Sequence, residues 1–137
     1  MEEKNMNYIK KLREVKPLVH NITNYVTVND VANAILAIGG SPIMSDEITE
    51  VAQMTSISNA LNINIGTLNQ VKIASMFEAG KASNACKHIT VLDPVGAGAT
   101  DLRTNTCKEL LEQIHFDAIK AVSYTHLRAH ETGAYLV

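Results

Sequence analysis

Apolar and polar positions alternate most clearly around residue 60, where Leu61, Ile63 and Ile65 interleave with Asn62 and Asn64 and predict a strand over 60–65. Residues 89–92 and 116–119 are short apolar runs that predict further buried strands, and 17–22 is an extended run that begins at Pro17. Between them the apolar period lengthens to that of a helix. Helices are predicted over 8–15, stopped before Pro17, and over 29–37, where Val31, Ala34, Ile35 and Ile38 mark the inner side and Gly39-Gly40 ends the run. Three more are predicted over 47–59, over 69–87 despite Gly80, and over 102–114. Residues 41–44 are too few to define a strand by pattern alone, although they lead the chain back to the sheet. This alternation predicts one α/β domain, a parallel sheet flanked by helices.

Composition narrows the function classes without choosing one. The 137 residues are 46% hydrophobic and 19% charged, enough apolar content for a packed core. A net charge of -2 offers no broad attraction for nucleic acid or an anionic membrane, so neither is an expected partner. The first sixteen residues are charged and lack a signal-peptide core, and no apolar run reaches the roughly 18 residues of a membrane span. Cys86 and Cys107 form no CxxC pattern and read as reduced structural thiols. A soluble cytoplasmic protein is expected.

The densest candidate chemistry follows the strand 89–92. Asp93 would be delivered to the sheet edge, where a carboxylate can hold Mg2+ through water or orient a hydroxyl. Pro94 fixes one torsion, Gly96 and Gly98 allow a tight turn or close ligand approach, and Thr100 or Asp101 can cap the next helix. The same residues also make an ordinary capped strand exit. The turn is neither a GxxxxGK[ST] phosphate loop nor a GxGxxG dinucleotide fingerprint. His20, Asn21, Thr23, Asn24 and Asn29 form a second polar constellation, suited to a small polar heterocycle or to plain turn and cap duty. Met44 can press a soft apolar face on a ligand ring or sit in the core.

Four blocks carry a resemblance: Val19-His20-Asn21-Ile22-Thr23-Asn24-Tyr25 through Asn29, Ala32-Asn33 through Met44, Asn64-Ile65-Gly66-Thr67-Leu68, and Leu92-Asp93-Pro94-Val95-Gly96-Ala97-Gly98-Ala99-Thr100. In order, spacing and content the chain from 15 to 120 resembles the hydroxyethylthiazole kinase family. The resemblance implies a ribokinase-like α/β fold, a homotrimer with active sites between subunits, and transfer of the ATP γ-phosphate to the primary alcohol of 4-methyl-5-(2-hydroxyethyl)thiazole in thiamine salvage. It further implies substrate contacts at Met44, Gly66, Thr67, Gly96, Ala97 and Gly98, cofactor contacts at Asn24 and Lys120, and Mg2+ near Asp93. Lys120 stands where such enzymes carry an arginine before Gly-Asn, keeping the charge without the bidentate fork.

No catalytic residue is assigned, because the family's Gly-Ala-Gly-Cys-like segment has no counterpart in this sequence. Residues 1–120 are therefore expected to be the N-terminal part of a kinase domain, and 121–137 a tail of foreign or artefactual origin. His126, His130 and Glu131 within that tail are excluded from the active site, since their order is not that of HExxH. The chain is expected to be inactive, with a noncatalytic binding or oligomerising fragment as the alternative.

Overall fold

The computed structural model describes the backbone over residues 2–121 and 135–136 and side chains over 7–121. Helix α1 (Glu2–Val15) precedes strand β1 (Leu18–Ile22), followed by α2 (Val28–Ile38), β2 (Ser41–Met44), α3 (Val51–Ile57), β3 (Ala60–Asn64), α4 (Gln70–Cys86), β4 (Ile89–Asp93), α5 (Asp101–Gln113) and β5 (Ala118–Ile119). A short β6 (Tyr135–Leu136) joins the edge. Every pairing is parallel, in the order β2-β1-β3-β4-β5-β6. His126, His130 and Glu131 lie outside the described residues.

The order of the strands fixes where the helices go. From β1 the chain steps outward to β2 through α2, then returns past β1 to β3 through α3 and continues one way. Right-handed crossovers place α2 on one face and α3, α4 and α5 on the other. The second face carries the core: Ile22, Leu61, Ile63, Leu92 and Ile119 meet Val51, Met76, Ala79, Cys107 and Leu110. The first face is thinly covered among the described residues, since α2 packs against the edge strand β2 and has no buried residue. This departs from the pattern: Val31, Ala34, Ile35 and Ile38 have helical spacing, yet none is buried.

Other departures have local causes. The four residues 41–44 do form a strand, because β1 supplies a partner along their whole length. The helix predicted over 47–59 contracts to α3, since the Glu47 carboxylate accepts from Thr49 N (3.2 Å) and Thr49 Oγ1 (3.1 Å), stabilising a turn ahead of it. Strand β5 is shorter than 116–119. Before it, the Asp117 carboxylate accepts from Thr90 N at 2.8 Å, and Phe116 turns into the core. Helix α1 extends the predicted 8–15 segment to Glu2.

Candidate active site

Strands β1 and β3 are neighbours whose following helices leave to opposite faces, which opens a crevice at their carboxyl ends. Asn24 spans it. Its Oδ1 accepts from Val26 N (3.1 Å), Thr27 N (3.0 Å) and Thr27 Oγ1 (3.1 Å), holding the turn into α2. Its Nδ2 donates to Asn64 Oδ1 at 3.0 Å, and Asn64 Nδ2 in turn donates to Asp93 Oδ2 at 2.9 Å. The Lys120 ammonium reaches the same carboxylate oxygen at 3.3 Å. Residues at or just beyond the carboxyl ends of β1, β3, β4 and β5 thus form one hydrogen-bonded line along the sheet edge. The expected cofactor residues, Asn24 and Lys120, stand at its two ends, and the expected metal residue, Asp93, beside Lys120.

The glycines keep this edge low. Gly66 N donates to Asn64 Oδ1 at 2.8 Å, and a Cβ on Gly66 would sit 2.8 Å from that oxygen and 2.9 Å from Asn24 Cβ. Gly96 and Gly98 take φ of +72° and +94°, torsions that side chains resist. A Cβ on Gly98 would meet nothing within 4 Å, so that turn faces open space. Thr67 Oγ1 accepts from Tyr25 N at 3.3 Å. The Ala97 side chain belongs to the core, which leaves its backbone as the part able to meet a ligand. Thr100 caps α5, accepting from Arg103 N at 3.3 Å.

Met44 lies apart from the glycines, in an adjoining cleft of about 150 Å³ that it shares with Thr23, Tyr25, Ser45, Asp46 and Lys72. The expected substrate residues therefore divide into two groups, joined through the turn at 23–25. Beneath the cleft His20 is fully buried, with Nε2 donating to Ser45 O at 2.8 Å and Nδ1 2.9 Å from Thr55 Oγ1. Burial holds its pKa below 6.5 against the opposing pull of the Ser45 carbonyl and Glu50. His20 is thus a strut under the cleft rather than a wall of it. Asn21 does line the cleft, with its amide bonded within the sheet to Val19 O and Asn62, while Asn29 is exposed on α2.

Two cations were not singled out by sequence. Arg103 Nη1 donates to Ile65 O (3.0 Å) and Val95 O (2.8 Å), and Nη2 to Gly66 O (2.7 Å), binding the β3 exit to the glycine turn. Lys72 is buried at the start of α4 and donates to Thr23 O at 3.1 Å. Their partners are mostly backbone carbonyls, which leave no residue signature. Neither cysteine is at this edge: Cys107 is in the core, where burial raises its thiol to about 11, and Cys86 ends α4.

No three His, Cys, Asp or Glu side chains converge on a metal position among the described residues. Asp93 stands alone as a carboxylate, with an amide and an ammonium on Oδ2. That donor set fits Mg2+ held mainly by phosphate oxygens and water, the usual company of this ion beside nucleotides.

Comparison with known proteins finds relatives over most of the chain. A profile of the Hydroxyethylthiazole kinase family matches residues 9–125. The hydroxyethylthiazole kinase of Clostridium acetobutylicum is 56% identical over 112 residues, 82% of this chain and 41% of that protein. That of Clostridium tetani is 56% identical over 114 residues, 83% of this chain and 42% of its own length. The solved structure of the hydroxyethylthiazole kinase protein from Pyrococcus horikoshii OT3 superposes with a TM-score of 0.80 at 44% identity, covering 84% of this chain and 45% of that one. The chain spans about two-fifths of the length of the curated relatives it matches. With the ribokinase-like parallel sheet, the polar line at its switch point and a match over most of its residues, the chain belongs to the hydroxyethylthiazole kinase family.

Proposed function

We propose that this chain carries the alcohol-binding and part of the phosphate-binding surface of an enzyme that phosphorylates 4-methyl-5-(2-hydroxyethyl)thiazole with ATP in thiamine salvage. The observation that carries the reading is the line Asn24, Asn64, Asp93 and Lys120 beside the Met44 cleft. Met44 offers a polarisable face for the flat thiazole ring. The backbone of Gly66, Thr67, Gly96, Ala97 and Gly98 lets the hydroxyethyl arm and the phosphates approach without side-chain obstruction. Lys120 supplies positive charge at the phosphates, and Asn24, fixed by its turn, presents an amide to the same region. Bound Mg2+ would offset phosphate charge, and Asp93 would hold it through its carboxylate.

Phosphoryl transfer also needs a base for the attacking alcohol and donors for the transferred group. The residues present are assigned the ring, arm and phosphate contacts and not the base. Their expected behaviour is binding of the thiazole alcohol. Calorimetry with the thiazole alcohol, together with mass-spectrometric detection of its phosphate ester in the presence of ATP and Mg2+, tests this. Absence of binding would overturn the reading, and ester formation would show that the residues present supply the base as well.

The same proposal takes 1–120 as the kinase-derived part and 121–137 as a tail of other origin, to be checked by sequencing the genomic locus across codon 120. It places the protein in the cytoplasm; no helix of the described residues is long and apolar enough to cross a membrane. A homotrimer is the proposed assembly, supported by the exposed apolar residues Val26, Leu36 and Ile38 on and beside α2.

A further inference from the structure

Lys72 occupies an unusual position for a lysine. It is 2% exposed, although lysine is among the side chains least often buried. It also sits in the first turn of α4, whose N-cap Asn69 accepts from Lys72 N at 2.8 Å, so its charge opposes the helix dipole. Neither helix electrostatics nor core packing accounts for an ammonium there. Its surroundings do. Nζ has three protons and three acceptors: Thr23 O at 3.1 Å, Asp46 Oδ2 at 3.5 Å and the Tyr25 ring, whose centroid is 3.9 Å away. Thr23 and Tyr25 belong to the turn after β1, and Asp46 to the turn after β2. Both turns line the cleft that holds Met44, and so does Lys72 itself.

We propose that Lys72 is a positioning residue that sets the separation of the Tyr25 and Met44 walls, and thereby the fit of the cleft to a flat aromatic heterocycle. As regards the ligand, this rests on the assignment of the cleft to the thiazole alcohol. The ammonium ties both walls to one rigid post, the first turn of α4. An apolar side chain of similar length fills the same space but releases Thr23 O and the Asp46 carboxylate, so that α4 keeps the turn after β2 through Ser75 Oγ on Asp46 O (2.7 Å) while the turn after β1 loses its tie to the same post. Hydrogen bonds to charged groups are worth more than neutral ones, and losing them is expected to weaken ring binding about tenfold.

The test compares the full chain with Lys72→Met, Lys72→Arg and Asp46→Asn, using calorimetry with 4-methyl-5-(2-hydroxyethyl)thiazole and with ATP, and hydrogen exchange over 23–27 and 44–48. Lys72→Met is expected to weaken the thiazole alcohol about tenfold, to leave ATP affinity within about twofold, and to speed exchange over 23–27 and, to a smaller extent, over 44–48, where Ser75 still holds Asp46 O. Lys72→Arg should restore most of both, and Asp46→Asn should loosen 44–48 alone. Unchanged exchange in the turns overturns the inference, as does equal loss of both ligands. If the unsubstituted chain binds no thiazole alcohol, the functional assignment fails, and exchange then decides the role of Lys72 by itself. Should Lys72→Met not fold, Asp46→Asn and Lys72→Arg carry the same comparison.

Discussion

At the residue scale, His20 makes stability depend on pH in a definite direction. Its pKa in the folded chain lies below the ordinary 6.5, chiefly through burial. The unfolded chain therefore binds the extra proton first, and the contribution of neutral His20 is fully present above about pH 6.5 and declines as pH falls below it. Denaturant unfolding between about pH 5 and 7.5 should show this, with a slope from one proton of at most about 1.4 kcal/mol per pH unit. His20→Gln should flatten the profile in that window; an unchanged slope would remove His20 as its source. Single side chains were unevenly legible. Asp93 and Asn24 announce themselves as polar groups where a strand ends, and the structure brings them into one line. His20 has the same polar signature but lies within β1, fully buried against Thr55 of α3 and the Ser45 carbonyl. Arg103 and Lys72 reach carbonyls 38 and 49 positions away, pairings that no local spacing encodes.

At the scale of elements, Gly80 sets intrinsic propensity against packing. Alanine in a helix interior is favoured over glycine by about 1 kcal/mol, so propensity alone expects Gly80→Ala to stabilise α4. A Cβ there would come within 2.9 Å of Ile114 Cδ1 and Cγ1, and the whole Ile114 side chain lies in its path. Ile114 is itself buried, with little room to move. Gly80→Ala is expected to destabilise by about 1–3 kcal/mol, read from the midpoint of thermal or urea unfolding. A rise in the midpoint would show that α4 and α5 shift apart at low cost. The elements were largely readable as alternating periods, because β3, β4, α4 and α5 each bury one side. Where tertiary contacts decide, the pattern misled: β2 is a strand because β1 lies beside it, and α2 has an apolar side without a buried residue.

At the scale of the molecule, that unburied helix and the thinly covered face of the sheet leave apolar surface open among the described residues: Leu36 is 57% exposed, Ile38 43% and Ile89 56%. Parallel sheets are ordinarily covered on both faces, so association is the expected response. Light scattering after size exclusion should find an assembly that weakens in Leu36→Glu. Because Leu36 is exposed, the same change should alter stability by no more than about 0.5 kcal/mol. An assembly indifferent to Leu36→Glu would move the interface elsewhere. The all-parallel topology also governs when the protein can fold. A hairpin can close as soon as its second strand exists, but β1 has no such neighbour, and Asn21 meets Asn62 only 41 residues later. At about 5–20 residues per second, a ribosome takes roughly 2–8 s to make that stretch. Until then Ile22 and its neighbours wait without their central partner, and a nascent chain held at that point has an unpaired β1 side to offer a chaperone or another chain.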